Sequence, residues 1–465
     1  MEKLLPIVSS LLLCACAAHV ETQTTFTENT DIFPNPGQGW ERYSNENTPS
    51  INKVNFGAGY MRYRWCHLEP EEGKYNWKPI DDAIESFAKD GLPFYFRIAC
   101  VSTSAYADKW VSPKWVFDKG AKYTLLNLKI KPNKEFPEGV APLAVPDFAD
   151  SIFIKAHEKF IQALAARYDG DPRIGGIDLG SYGNWGEWHC WGLGLGDYGA
   201  HRAAHSEEVR KAWADMYLKN FKKTQLIFMS DDAPILVYDL GGAENPRGGL
   251  RRDGVGSPNH FRNWIGSKRY EQIPYMGEIW KKQPMVFEYF ASVNLMRKMG
   301  WDMPFSLKWI LDNHVSIVNE IPLQPAQFAE GSPEEKALRQ IDLYAGARLV
   351  PQSANVVYHN RKLEVKIVGV NKGVSKIYLP YEFVYEVRGA DGALVAEKVS
   401  QKDPRSILTG EFEISDSFDL PLEKGKDYSI SLRVRNIAKV LRDFRFAAKN
   451  LNADGSLPLG KISLK

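Results

Sequence analysis

The chain has 465 residues, too many for one small core and enough for two or three domains. Hydrophobic residues make up 44% and charged residues 25%, as in ordinary globular proteins. With 59 basic against 57 acidic residues the net charge is +2, so the sequence offers no field for nucleic acid or an anionic membrane surface, and neither is expected as a partner. Aromatic residues reach 12%, with 13 Trp, which points to a ligand with faces to stack on.

Residues 1–20 read as an export leader: Lys3, an apolar run from Leu4 to Leu13, then Leu13-Cys14-Ala15-Cys16. This end resembles the lipobox of bacterial lipoproteins, with Cys16 as the acylated residue and Cys14 as the alternative; a plain secretory signal is the competing reading. The run is too short for a permanent membrane span. The expectation is an exported lipoprotein, in the periplasm or on the outer-membrane surface, touching the membrane only through its anchor. Apart from these, Cys66, Cys100 and Cys190 remain, which is no disulfide framework, although Cys66 and Cys100 would pair if their strands were neighbours.

Residues 32–345 alternate strands with helical patterns. Asn35-Pro36-Gly37-Gln38-Gly39-Trp40 leads into a first strand, Gly57 to Trp65 is a second and Leu92 to Ala99 a third. Residues 100–148 form a long insertion, of the kind that walls a cleft. The run Ile174-Gly175-Gly176-Ile177 is a short buried strand, Gln225 to Ser230 a fifth, Arg251 to Pro258 a poor sixth, Pro284 to Tyr289 a seventh and His314 to Val318 an eighth. Eight such units predict a (β/α)8 TIM barrel. Residues 350–465 switch to alternating runs such as Leu363 to Val368 and Tyr428 to Val434, which predict a small all-β sandwich.

The fourth strand runs into Gly180-Ser181-Tyr182-Gly183-Asn184-Trp185-Gly186-Glu187-Trp188-His189, which sets one carboxylate among Trp185, Trp188 and Trp191. A second carboxylate, Glu288, ends the seventh strand inside Val286-Phe287-Glu288-Tyr289. Both fall at the C-terminal rim, where barrel active sites sit, and glycosidic hydrolysis needs two carboxyls flanking the anomeric carbon. His201 and His205 stand at i and i+4, but no third ligand follows at zinc spacing, so neither a metal nor a cofactor is expected. Ser181 is not in a G-x-S-x-G elbow.

Together, the Arg-bearing second strand leading into Leu68-Glu69-Pro70-Glu71-Glu72-Gly73-Lys74-Tyr75-Asn76-Trp77, the Gly-Asn-Trp-Gly-Glu-Trp-His run and the Val-Phe-Glu-Tyr-Phe run resemble clan A of the glycoside hydrolases over residues 35 to 320. The resemblance is to uncharacterised bacterial families that join such a barrel to a C-terminal β-sandwich. It implies a retaining hydrolase of β-glycosides, galactoside or glucoside, with Glu187 as acid/base and Glu288 as nucleophile. Further rim candidates for substrate binding are Arg62, Arg64, Arg97, Asn184, Trp185, Trp188, His189, Asp231, Tyr289 and Asn319. A structural ion pair is the competing reading for each arginine. The clan carries Asn directly before the acid/base Glu, whereas Gly186 stands here; Asn184 is the substitute candidate. That departure keeps open a second function, a non-catalytic surface glycan-binding protein. The sequence leaves the oligomeric state unknown.

Overall fold

The computed structural model describes residues 19–33, 35–43, 56–104, 109–195, 205–229, 233–261, 264, 267–320 and 328–465. Residues 1–18 of the expected leader, with Cys14 and Cys16, as well as His201 and Asp231, lie outside them, whereas its last two residues, His19 and Val20, are part of a strand. The chain opens with β1 (His19–Thr25) and then builds β2 (Gly39–Tyr43), β3 (Phe56–Arg64) and β4 (Phe94–Ala99). The insertion that follows carries a hairpin of β5 (Tyr123–Lys129) and β6 (Val140–Pro146). Next come β7 (Ile174–Asp178), β8 (Leu226–Met229), β9 (Gly249–Val255), β10 (Met285–Tyr289) and β11 (Ile317–Asn319).

Strands β2, β3, β4, β7, β8, β9, β10 and β11 pair in parallel and close into a barrel of eight. The strand period of two sorts their side chains. Phe94, Phe96 and Ile98 of β4 point outward into the layer shared with the helices. That layer includes Lys78–Lys89, Ser151–Tyr168 and Glu207–Asn220. The last two start on side-chain caps: Asp150 accepts from the Ile152 and Phe153 amides, and Ser206 from the Val209 amide.

Facing inward are Ala58, Tyr60, Tyr95, Ile227, Val286 and Ile317, a small cluster inside the barrel. Two residues further along β4, β10 and β3 stand Arg97, Glu288 and, after Tyr60, Arg62. The barrel interior is therefore apolar toward the N-terminal ends of its strands and charged toward their C-terminal ends. The paired glycines of β7 have a packing reason. A Cβ on Gly175 would stand 2.4 Å from Tyr95 Cζ, so the tyrosine ring fills the space those side chains would take.

The all-β region consists of two four-stranded sheets. One is ordered β1-β12-β13-β16 and the other β15-β14-β17-β18, where β12 is Leu349–His359, β13 Lys362–Asn371, β14 Tyr381–Gly389, β15 Leu394–Val399, β16 Gly410–Asp419, β17 Asp427–Asn436 and β18 Leu457–Ser463. Its core of Leu, Ile, Val, Phe and Tyr side chains is separate from that of the barrel. The polar N-terminal segment that sequence patterning leaves outside any domain is a strand of this sandwich. His19 through Thr25 pair antiparallel with His359 through Ser353, because an edge strand of Thr and Gln needs only Val20 to touch the core.

The sandwich packs against the N-terminal end of the barrel, away from the rim. Asn35 donates to Arg445 O at 3.1 Å and accepts from its amide at 2.8 Å, Arg442 N–H donates to Gly91 O at 2.9 Å, and Gln38 accepts from the Ala347 amide at 2.9 Å. The Tyr378 hydroxyl donates to Trp280 O. The tyrosine–glycine fit inside the barrel can be tested directly. Gly175→Ala should lower stability by about 1–3 kcal/mol through overpacking, and Tyr95→Leu in the same chain should recover part of that loss. Urea unfolding of the two single variants and the double variant measures the coupling.

Candidate active site

The turn after β7 presents Glu187, and its backbone is unusual. Ser181 (φ 72°), Gly183 (80°), Trp185 (57°), Gly186 (71°) and Trp188 (61°) all lie in the left-handed region. Non-glycine residues there cost on the order of 1 kcal/mol or more each and need surrounding contacts to hold them. Those contacts are present. Backbone amides of Ser181, Trp185 and Trp188 donate to Ile98 O (2.7 Å), Val101 O (3.0 Å) and Tyr182 O (3.1 Å). Beneath the turn the buried Ser181 hydroxyl meets His157 Nε2 and the Tyr217 hydroxyl, both at 2.7 Å. Burial pushes His157 down to about 3, so it stays a neutral hydrogen-bonding group.

Gly186 is explained by the same geometry. Its φ favours glycine, and a Cβ there would stand 3.0 Å from Ile98 O. An asparagine before the acid, usual in the resembling clan, would be strained in this turn. Asn184 does not replace it. It is fully buried, accepts from the Thr103 amide and donates to Thr103 Oγ1 and Trp191 O, all at 3.0 Å, so its polar atoms hold the loop together.

Glu187 and Glu288 converge on the same two guanidinium groups. Arg62 reaches Glu187 at 3.4 Å through Nη1 and pairs with Glu288 through Nη2. Arg97 reaches Glu187 at 3.3 Å through Nη1 and Glu288 at 3.4 Å through Nη2. Both carboxylates are almost completely buried, whereas the Arg62 side chain is 30% exposed at the mouth. On the other side of Glu187, His189 accepts from the Trp191 amide at Nδ1 (3.3 Å), which leaves Nε2–H to donate to Glu187 Oε2 (3.3 Å).

Deeper in the barrel the network continues through residues that motif reading passes over. Arg251 pairs with Asp178 at 2.8 Å, Glu41 at 3.1 Å and Glu288 at 3.6 Å, and Arg97 approaches Asp178 at 3.6 Å. Tyr60 donates to Asp178 at 2.7 Å and accepts from Arg97 Nε at 3.0 Å. Burial would raise the Glu288 carboxyl, but Arg62, Arg97 and Arg251 outweigh it and bring it down to about 2. Glu41 goes the other way: burial pushes it up despite Arg251. The signal was present for two of these residues, since Tyr60 shares a face with Arg62 and Asp178 ends the apolar strand β7; Arg251 stands among the charged residues of β9 and gave no such signal.

Several expected rim residues lie elsewhere. Trp188 is 2% exposed, packs in the helix–barrel core and donates its indole N–H to Leu179 O at 2.6 Å, so it offers no stacking face. Tyr289 is fully buried in that core beside Phe287, because it has the opposite strand parity to Glu288. Asn319 is spent on the backbone of Tyr289, accepting from its amide (2.6 Å) and donating to its carbonyl (2.8 Å). Arg64 ends β3 half-buried and acts electrostatically on Cys66 and His67. Cys66 and Cys100 are free thiols. The aromatic edge that remains accessible is Trp185, with its indole on Ser104 Oγ (3.0 Å), and Trp191, 54% exposed, with ring centroids 6.3 Å apart. Among the described residues no cluster of three His, Cys, Asp or Glu could hold a metal; His205 bonds the Tyr182 hydroxyl at 3.0 Å.

Residues 35–184 match the glycoside hydrolase family 42 model, described as beta-galactosidase. No curated protein matches this sequence. Similar solved structures include endo-glycoceramidase II from Rhodococcus sp. as a lactosyl-enzyme intermediate (9% identity, covering 86% of this chain and 100% of that one, TM-score 0.42). They also include a beta-galactosidase from the psychrophilic Marinomonas ef1 (11% identity, 66% and 58% covered, TM-score 0.34). A third is xylanase 10B from Thermotoga petrophila RKU-1 with xylobiose (11% identity, 67% and 94% covered, TM-score 0.30).

The ion pairs of Glu288 make a pH prediction. A carboxyl held near 2 in the folded chain stabilises it above the ordinary glutamate value of 4.5, and that contribution disappears as pH falls from 4.5 toward 2. Wild type should therefore lose unfolding free energy more steeply than Glu288→Gln over that window in urea titrations at stepped pH. Parallel curves for the two proteins would contradict the assignment.

Proposed function

We propose that this chain, a glycoside hydrolase by its barrel and its family match, is a retaining enzyme that cleaves a β-galactoside, with Glu288 as nucleophile and Glu187 as proton donor and later base. The observation that carries this reading is the sharing of Arg62 and Arg97 by the two carboxylates, which brings them to one locus at the C-terminal ends of β7 and β10. The matched family's description favours galactoside over glucoside.

The roles follow from the environments. Glu288 faces three arginines, which keep it ionised and able to attack the anomeric carbon. Glu187 receives a hydrogen bond from His189 and lies beside the aromatic edge of Trp185 and Trp191. That edge suits the C–H face of a sugar at the leaving-group side. In the first step Glu187 protonates the departing oxygen as Glu288 forms a glycosyl ester; in the second, Glu187 takes a proton from water, which releases the sugar and regenerates Glu288. Arg62 is the accessible cation of the site, and a bound sugar must share that space with it.

A second reading, glycan binding without turnover, is favoured by one observation: Asn184 is locked into the loop and Gly186 offers no side chain, so the usual amide partner for the sugar 2-hydroxyl is missing. Kinetics on aryl galactosides decide between the two. Glu288→Ala should abolish turnover of every substrate. Glu187→Ala should slow substrates with poor leaving groups by about 10²–10⁴-fold and spare dinitrophenyl galactoside; added azide should rescue it and yield β-galactosyl azide. Saturable glycan binding with no product from wild type would establish the second reading.

We also propose that Cys16 carries a lipid anchor, supported by the run Leu13-Cys14-Ala15-Cys16 after an apolar stretch. Cys16→Ser should move the protein from the membrane to the soluble fraction of the producing cell, as read by fractionation and immunoblot. An unchanged distribution would reject the anchor.

A further inference from the structure

A cavity of about 460 Å³ opens where the floor of the barrel meets the sandwich. From the barrel come Gln225, which precedes β8, and Lys282 and Gln283, which precede β10; from the sandwich come Lys376, Tyr378 and Arg405. The catalytic glutamates stand at the other ends of β7 and β10, so this is a separate place on the molecule. Its charge is lopsided: Lys282, Lys376 and Arg405 face it against one lining carboxylate, Asp403. That carboxylate is already spent, because Arg405 holds both of its oxygens at 2.8–3.1 Å.

The two lysines have backbone oxygens as their hydrogen-bond partners. Lys376 Nζ donates to Lys281 O at 3.1 Å and Lys282 Nζ to Glu244 O. Each ammonium has three donors, so both retain capacity for an anion. Lys376 is also half-buried, and burial pushes its ammonium below the ordinary lysine range although Asp403 acts against the shift, so a further anion would relieve the remaining cost. Ile377 and Tyr378 add apolar surface, and the Gln225 and Gln283 amide groups add hydrogen-bonding capacity. A bare ion would leave most of this volume empty, whereas small-molecule sites begin at about 300 Å³.

We propose that this cavity binds an acidic sugar, with its carboxylate or sulfate group held by Lys376 and Lys282. The geometry stands whether or not the rim is catalytic, but the saccharide identity of the ligand rests on the glycosidase reading above. Occupancy would tie the sandwich to the barrel and keep the enzyme on a charged glycan while the rim works at the other end.

Calorimetry on the full chain tests this with four probes: glucuronate, galactose 6-sulfate, neutral galactose and inorganic sulfate. The two acidic sugars should bind at least tenfold more tightly than galactose and than sulfate alone. Lys376→Met, which keeps the stem and removes the charge, and Lys282→Met should each weaken acidic-sugar binding at least tenfold and leave aryl galactoside turnover at its wild-type rate. Equal binding of galactose and glucuronate, equal binding of bare sulfate and galactose 6-sulfate, or affinity unchanged in both variants would overturn the proposal. Acidic-sugar binding that is lost in Lys376→Met, in a protein with no turnover, would sink the catalytic reading and leave this site standing.

Discussion

The rest of the site depends on the exchange of charge between three arginines and the carboxylates inside the barrel. Arg97 and Arg251 are fully buried, as are Glu41 and Asp178. Placing such groups out of water costs several kcal/mol each unless partners repay it. Here each cation faces at least two carboxylates, and Tyr60 bridges Asp178 to Arg97. The consequence is geometric as well as energetic. A guanidinium is a rigid planar fork, so Arg97 can hold Glu187 and Glu288 at once only if β7 and β10 keep their positions around the barrel. The network that makes the interior tolerable is the same one that aims the two glutamates.

The turn after β7 shows the other half of this arrangement. A relaxed loop would not bring Glu187 back over the strand ends. The chain instead takes left-handed backbone at Ser181, Trp185 and Trp188, and locks it from below with His157 and Tyr217 and from above with Asn184. The strain is stored in the turn that fixes the Glu187 carboxylate. It also explains two replacements together: glycine before the glutamate, and an asparagine whose amide serves the loop.

The molecule divides labour along the barrel axis. Its rim carries the carboxylates and the Trp185–Trp191 edge; its floor carries Tyr95 against the paired glycines and the contact with the sandwich. The sandwich therefore contacts the barrel at the end opposite Glu187 and Glu288, in keeping with how barrels separate stability from activity. Its first strand comes from the N-terminus, so the barrel is inserted between two parts of one β-domain.

The sequence by itself determined the alternation of strands and helices, the change to period-two patterning near residue 350, and the strand ends bearing Glu187 and Glu288. Those features are local, since burial on both faces produces apolar runs and half-burial produces alternation. Only the tertiary structure decided which side chains share the interior. Trp188 and Asn184 look like ligands in a short motif, and a backbone with several positive φ angles turns them into scaffold. Tyr289 sits beside Glu288 in sequence and on the opposite face in space. Arg251 belongs to the poorest of the expected strands and yet contacts Glu288, because closure of the barrel sets β9 against β10. His19 to Thr25 is too polar to announce a strand, and it forms one because β12 offers an unpaired edge on which backbone hydrogen bonds, unlike side-chain patterns, need no particular residue.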